Sequence, residues 1–180
     1  MEISAATEHR DQTSDQYVDD ELVGRLVAEC SKPLYGMAVS IVRDHALAED
    51  IVQETLVKAW QAFPTFRGDA SLVTWVLRIG HNTAISALRR IREDVQDPAS
   101  LPVQPYNGPE ERVVDRMAVE AVWSALDHVD PLSRSMLILR DVEGLSYGEV
   151  EEITGASPAS VKTRLFRARR NLADILRDWR

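Results

Sequence analysis

Two acidic side chains and an amide fall on one face of a helix predicted for residues 46–63. Asp50 and Glu54 are four residues apart, with Gln53 beside them, so the three project from the same side. Like charges at this spacing mildly destabilise an isolated helix, and a basic partner surface would offset that cost. A plain solvated acidic face is the alternative. We reject a catalytic carboxylate pair because no second catalytic group or pocket-forming sequence accompanies it.

A second cluster combines aromatic, basic and amide groups around a turn that leads into a helix beginning near Ser71. Its candidate functional side chains are Phe66, Arg67, Ser71, Trp75, Arg78, His81 and Asn82. Such groups close together suit the capture of an unstacked base. The alternative is structural: Phe66 and Trp75 fill a core while Asn82 faces water.

The last predicted helix begins at Pro158 and has an apolar side and a basic side. Its apolar residues recur at helical spacing and are Val161, Leu165, Ala168, Leu172, Leu176 and Trp179. The candidate DNA contacts are Ser160, Lys162, Thr163, Arg164, Phe166, Arg167 and Arg170, with Arg169 among them on the basic side. A short helix and a glycine-containing turn at 154–156 precede this helix, and the arrangement is typical of a helix-turn-helix.

In a helix-turn-helix, early residues of the second helix reach base edges in the major groove. Arginine can pair there with guanine through two hydrogen bonds, while other basic residues hold phosphates. The alternative is an ordinary amphipathic helix with a solvated basic face, since the helix dipole favours basic residues near its C-terminus.

The charge of the chain is strongly uneven. The net charge is −8, yet residues 158–180 contain seven basic and two acidic residues. A basic end on an acidic body predicts one surface for nucleic acid and another for a different partner.

Apolar residues at spacings of three and four predict helices from Glu21 to about Arg92. The first stripe contains Leu22, Leu26, Val27, Leu34, Met37, Ala38 and Ile41. The second contains Val52, Leu56, Trp60 and Phe63, and the third contains Leu72, Trp75, Val76, Ile79, Ile85 and Leu88. Because no segment has a strand pattern, the predicted fold class is all-α.

Residues 93–112 contain four of the eight prolines and predict an extended linker, since they are too many for a loop inside one compact domain. The predicted organisation is two small helical domains, at 19–92 and 113–180, after a flexible tail at 1–18.

Local capping signals divide the second domain into helices. Asp130 is expected to cap a helix with Pro131 in its first turn, and Gly144 to end it. Ser146 and Glu149 fit a capping box, and Ser157 should cap the last helix.

Several functional classes are excluded by what the sequence lacks. Cys30 is the only cysteine and the four histidines share no ligand spacing, so no metal and no cofactor are expected. No nucleotide loop, zinc-protease motif or nucleophile–base pair indicates an enzyme. The N-terminus lacks the pattern of a signal peptide and no run spans a membrane, so a cytoplasmic location is expected.

Taken together, residues 34–172 resemble the extracytoplasmic-function (ECF) group of bacterial sigma factors. Residues 50–56, Asp-Ile-Val-Gln-Glu-Thr-Leu, are similar to that family's core-polymerase motif. Phe66-Arg67-Gly68, Thr74-Trp75 and Ile79-Gly80-His81-Asn82 are similar to its segment for DNA melting and minus-ten recognition. Residues 139–147 and 161–169 are similar to its second DNA-binding domain.

This resemblance implies a transcription-initiation factor with two DNA-reading domains and no catalysis. It implies that Asp50, Gln53 and Glu54 bind the basic coiled coil of the RNA polymerase β′ clamp. Asn82, with the loop at 66–71, would accept a base flipped from the minus-ten element. Helices at 113–140 would touch the β flap, and an anti-sigma protein would hold the factor inactive.

The resemblance further implies which residues face the minus-thirty-five element of promoter DNA: Lys162, Thr163, Phe166 and Arg167. Departures from the family pattern leave the promoter sequence open. Pro158-Ala159-Ser160 replaces a common Gly-Thr lead-in, Glu151 and Glu152 make the preceding helix unusually acidic, and His81 stands where small residues are frequent. A stand-alone helix-turn-helix regulator is the competing hypothesis, and it requires tight binding to duplex DNA without polymerase.

Overall fold

The structure, a computed structural model, describes the backbone of residues 4–94 and 121–177 and the side chains of residues 20–93 and 121–177. Helices of the first half are α1 (Ser4–Val42), α2 (His45–Ala62) and α3 (Leu72–Asp94), with a 3-10 turn at Phe63–Thr65. The second half contains α4, described over 121–126, then α5 (Pro131–Leu137), a π turn at Ile138–Val142, α6 (Tyr147–Thr154) and α7 (Pro158–Arg177).

All regular elements in the described ranges are helical, which confirms the all-α expectation. Nearly all of the predicted linker lies outside the described residues, as does Trp179. None of the described helices is long and apolar enough to cross a membrane.

Helix α1 begins earlier than the sequence pattern predicts. It starts at Ser4, within the segment predicted as a tail, because adding a residue to an existing helix gains one hydrogen bond without a new nucleation step. Its buried stripe contains Leu22, Leu26, Cys30, Leu34, Met37 and Ile41. The prediction for Val27 was wrong, since that side chain is 50% exposed. Burial raises the pKa of the Cys30 thiol to about 11, which disfavours the reactive thiolate.

The buried face of α2 differs from the predicted one. Asp44 caps the helix by accepting a hydrogen bond from the Leu47 amide at 2.9 Å. The fully buried residues are Ala48, Ile51, Thr55 and Ala59, whereas Val52, Leu56 and Phe63 are only partly buried against the core and Trp60 is 41% exposed. Small side chains allow neighbouring helices to approach closely. The alanines of α2 therefore lie at the centre of its buried face, and larger apolar side chains lie at the edges of that face.

Close packing in the first half is centred on Gly80 of α3. A Cβ atom at this position would collide with the Leu34 side chain and lie 3.3 Å from atoms of Met37 and Thr55. Glycine here lets α3 sit against α1 and α2 and so fixes the position of the predicted DNA face of α3.

The predicted caps of the second half are confirmed. Asp130 accepts a hydrogen bond from the Ser133 amide at 3.1 Å, and the reciprocal capping box of Ser146 and Glu149 opens α6. Gly155 ends α6 in the left-handed conformation at φ 67°. Ser157 then accepts from the Ser160 amide at 3.3 Å at the start of α7.

The two halves pack on one another, with α6 against α3 and α5 against α1. Their apolar residues form one continuous buried cluster that includes Leu34, Met37, Met136 and Leu139. The sequence left this relative orientation open.

Candidate functional site

The acidic face of α2 is exposed, as the sequence predicts. Asp50, Gln53 and Glu54 all reach solvent. Glu54 forms an ion pair with Lys58 at 2.6 Å, and the Lys58 ammonium also donates to the Thr83 hydroxyl at 3.2 Å. A basic partner would therefore compete with Lys58 for Glu54, while Asp50 has no such neighbour among the described contacts.

Two apolar residues of the same face were missed by the sequence reasoning. Val57 is 53% exposed and Trp60 is 41% exposed. They lie four and seven residues after Gln53, so they share its side of the helix. Counting helical positions onward from Gln53 would have found them, but Trp60 was instead assigned to the buried stripe.

The loop before α3 is held by an aromatic cluster. The ring centroids of Phe66 and Trp75 are 5.1 Å apart, and those of Phe63 and Phe66 are 5.8 Å apart. Trp75 is only 8% exposed, so in this structure it and Phe66 support the loop, as the structural alternative expected. Gly68 makes the turn at φ 75° and leaves Arg67 exposed at the tip.

Ser71 caps α3 rather than projecting freely. Its hydroxyl accepts a hydrogen bond from the Thr74 amide at 3.0 Å and lies 2.8 Å from the Thr74 hydroxyl. The site therefore starts from a fixed first turn, which orients the side chains that follow along α3.

Further along α3 the predicted site residues are in three different situations. Asn82 is exposed. Arg78 lies 3.7 Å from Glu152 of α6. His81 is 3% exposed, neither of its ring nitrogens has a hydrogen-bond partner among the described residues, and burial lowers its pKa to about 4. In this conformation His81 is a neutral core residue and cannot contact DNA.

The basic side of α7 divides into two groups. Arg164 donates to the Asp130 carboxylate at 3.1 Å and lies 3.4 Å from the Ser133 hydroxyl, and Arg169 makes two hydrogen bonds to Asp141 at 2.6 and 3.0 Å. These two arginines tie α7 to the rest of its own half.

The remaining side chains of this surface face solvent. Lys162, Thr163 and Arg167 are exposed, and Phe166 is 66% exposed. Arg170 is exposed with Asp174 at 4.0 Å. Beside them, a groove of about 520 Å³ between α5 and α7 is lined in part by Ser160, Thr163, Arg164 and Arg167. The structure thus leaves five of the predicted minus-thirty-five residues exposed on α7, whereas Ser160 and Arg164 are partly buried.

Both halves match known protein families. The model of Sigma-70 region 2 matches residues 26–93, and the model of Sigma-70, region 4 matches residues 119–172. The chain is 31% identical over 186 residues to RNA polymerase sigma factor NccH of Alcaligenes xylosoxydans xylosoxydans, with 97% of this chain and 95% of that protein covered.

Two further likenesses agree with these matches. ECF RNA polymerase sigma factor SigG of Mycobacterium tuberculosis is 35% identical over 156 residues, covering 71% of this chain and 41% of that protein. The solved structure of sigma factor RpoE in complex with the anti-sigma factor NepR from Bartonella quintana superposes with a TM-score of 0.70 at 27% identity, covering 86% of this chain and 96% of that one. The exposed residues of α2 and α3 therefore lie in a sigma-70 region 2 and those of α7 in a region 4, and the chain belongs to the ECF group of RNA polymerase sigma factors.

Proposed function

We propose that three separate surfaces divide the work of this sigma factor. The exposed face of α2 binds the core polymerase, α3 with the loop before it accepts an unstacked minus-ten base, and α7 reads the minus-thirty-five element. No bond is made or broken. Trapping of a flipped base offsets part of the cost of opening the duplex, and association with the polymerase positions both DNA-reading surfaces.

The exposed ring of Phe166 is the observation that carries this proposal most directly. An aromatic side chain that is 66% exposed in the middle of a basic helical face contributes little to the packing of the hydrophobic core. In the major groove, however, an apolar side chain can contact the methyl group of thymine. With Lys162 and Arg167 exposed on either side, this face supplies apolar, base-reading and phosphate-binding groups together.

The core-polymerase surface combines charge with an apolar centre. Asp50 and Glu54 supply negative charge for a basic coiled coil, while Val57 and Trp60 supply apolar area beside them. Tryptophan is enriched among the residues that dominate binding energy at protein interfaces. We therefore add Val57 and Trp60 to Asp50, Gln53 and Glu54 as the proposed contact with the β′ clamp.

Control by an anti-sigma protein belongs to the same proposal, as does a cytoplasmic site of action. The support for the first is the likeness to RpoE, which was solved in complex with the anti-sigma factor NepR. The second follows from the function itself, because the polymerase and the promoter are in the cytoplasm.

The α2 assignment is tested by replacing Asp50 and Glu54 together with alanine. Because both charges face the proposed clamp surface, we expect the Kd for core polymerase to rise about tenfold or more, since truncating charged interface pairs commonly costs over 1 kcal/mol. Binding is measured by fluorescence anisotropy of the labelled sigma factor titrated with core enzyme.

The matched control replaces Asp20 and Glu21, two exposed acids of α1, with alanine. It removes the same charge and should leave the Kd unchanged. Equal affinities for the α2 variant, the α1 variant and the wild type would contradict the assignment of the α2 face to polymerase binding.

A further inference from the structure

Three arginines line a recess to which both halves of the chain contribute. Arg43 follows α1, Arg92 lies in the last turn of α3 and Arg134 lies in α5. The recess has a volume of about 240 Å³, which is below the range of about 300–1,000 Å³ that is usual for sites of drug-sized ligands. It therefore has room for one small molecule.

Two of these arginines share one carboxylate. The Arg43 guanidinium lies 2.6 Å from the Asp127 carboxylate, and the Arg134 guanidinium lies 3.7 Å from the same carboxylate. Asp130 also acts on Arg134, but its carboxylate is 3.1 Å from Arg164. Within the described parts of the chain, the Nε atoms of Arg43 and Arg134 have no hydrogen-bond partner. Because a buried guanidinium is costly unless acceptors satisfy it, this cluster is short of acceptors.

The charges around the recess do not balance. Its lining contains three arginines but only two acidic residues, Asp44 and Asp127, so one positive charge is in excess. Burial and the nearby charge of Arg43 lower the pKa of Arg134 to about 10. Arg134 is therefore still protonated at neutral pH, although only 8% of its side chain is exposed. A bound group with one negative charge would restore the balance.

Arg43 is fixed in position at one end of the recess. Its backbone is in the left-handed region at φ 60°, a conformation that costs energy in any residue other than glycine. Its guanidinium donates to the Trp123 carbonyl oxygen at 3.3 Å and lies 5.0 Å from the centre of the Trp123 ring. Because these contacts already hold the side chain, little further conformational entropy is lost when a ligand binds.

The rest of the recess is apolar. Its wall is formed by aliphatic side chains of α1, α2 and α3: Ile41, Val42, Leu47, Leu88 and Ile91. Leu47 and Ile91 are only partly buried, so the wall offers apolar area that a ligand could cover. An inorganic anion would meet the arginines and leave this area in water, whereas a molecule with an acidic head and an apolar body would use both.

We propose that this recess binds a small organic acid, with its carboxylate at the arginines and its apolar body against Leu47, Leu88 and Ile91. Guanidinium groups bind carboxylates through paired, charge-assisted hydrogen bonds, and the single negative charge of a carboxylate matches the single positive charge in excess. None of the residues proposed to contact polymerase or DNA lines the recess. The site therefore adds a ligand to the proposed function and does not rest on it.

The first test compares three probes that share a fluorinated ring and differ in charge. Fluorine NMR measures the binding of para-fluorobenzoate, para-fluorobenzyl alcohol and para-fluorophenyl phosphate to the full chain. We expect saturable binding of the benzoate, with affinities of the neutral alcohol and of the more highly charged phosphate lower by about fivefold or more. Absence of saturable benzoate binding, or tighter binding of the alcohol or the phosphate, would overturn the proposal.

The second test locates the binding site by changing one exposed charge. Arg92→Gln removes a positive charge from the lining at an exposed position, so it should raise the Kd for para-fluorobenzoate by about three- to tenfold without disturbing the fold. The matched control is Arg90→Gln, which makes the same charge change two residues away on α3, outside the lining, and should leave the Kd unchanged. Equal effects of the two substitutions would mean that the probe responds only to overall charge, and the site would be overturned.

A third variant tests the apolar wall without changing any charge. Ile91→Trp places a larger side chain in the recess and should abolish saturable binding of para-fluorobenzoate, because the apolar body of the probe loses its space. Circular dichroism and urea denaturation establish that the variant is folded as the wild type is. Binding to this folded variant with the wild-type Kd would place the probe elsewhere and overturn the proposal.

Discussion

His81 shows at the scale of one residue how burial decides a role. The sequence places it beside Asn82 in the base-binding segment, yet the two side chains point to different environments. Asn82 is exposed, whereas His81 is 3% exposed with both ring nitrogens unpaired among the described residues. Neighbouring positions on a helix are separated by about 100°, so one can face DNA while the next is packed inside.

The buried ring makes stability depend on pH. In the folded chain the pKa of His81 is lowered from 6.5 to about 4, so between these values the unfolded chain binds more protons. The free energy of unfolding should therefore fall as the pH is lowered through this window, by up to about 3 kcal/mol from this residue. In urea titrations at several pH values, His81→Leu should lose less stability than the wild type between pH 6.5 and pH 4. Parallel curves for the two proteins would contradict this account.

The arginines of α7 show the same division of roles. Arg164 and Arg169 are held by carboxylates of their own half, whereas Arg167 and Arg170 extend into solvent. A count of basic residues cannot separate these groups, because the distinction depends on Asp130 and Asp141, which are distant in sequence.

Arg167→Ala should weaken binding to the minus-thirty-five element by about 1–3 kcal/mol and relax the preference at one base pair, if its guanidinium reads a base edge. Arg170→Ala is the matched control, for which we expect a smaller loss that is the same for every sequence. Binding of the polymerase holoenzyme to a promoter panel with single base changes distinguishes the two. A uniform loss for Arg167→Ala would mean that it holds only phosphate.

At the scale of helices, the sequence predicts where a helix begins and ends better than which of its faces is buried. Asp130, Ser146 and Gly155 act through hydrogen bonds or backbone angles within a few residues, so local rules find them. The buried face of α2 was missed because it is chosen by the approach of other helices, which favours Ala48 and Ala59 over larger neighbours. The same packing leaves Trp60 for the proposed polymerase surface.

Gly80 gives the helix packing a direct test. Gly80→Ala should lower the free energy of unfolding by about 1–3 kcal/mol, because the added methyl group meets Leu34 and Met37, which are both fully buried. Gly24→Ala in α1 is the matched control. With no atom within 4 Å of its added methyl group, it should raise stability by up to about 1 kcal/mol through helix propensity. Urea denaturation at neutral pH measures both, and equal effects would contradict the packing argument.

For the whole molecule, the sequence predicts two helical halves and their charges but not how the halves meet. The all-α class follows from helical spacing, and the order of the motifs indicates the family. The docking of α6 on α3 depends on a few polar pairs, such as Thr74 with Glu149 and Arg43 with Asp127. The residues of each pair are far apart in sequence and carry no local pattern. The unusual acidity of α6 was visible, but its partner on α3 was not.

The central claim is that this chain gives core polymerase its promoter specificity. Run-off transcription tests it most directly, using purified core enzyme and a library of linear templates with varied upstream and minus-ten elements. We expect discrete transcripts that require the protein and share one pair of promoter elements. Absence of any protein-dependent transcript, together with nanomolar binding of the free protein to duplex DNA, would contradict the account and favour a stand-alone regulator.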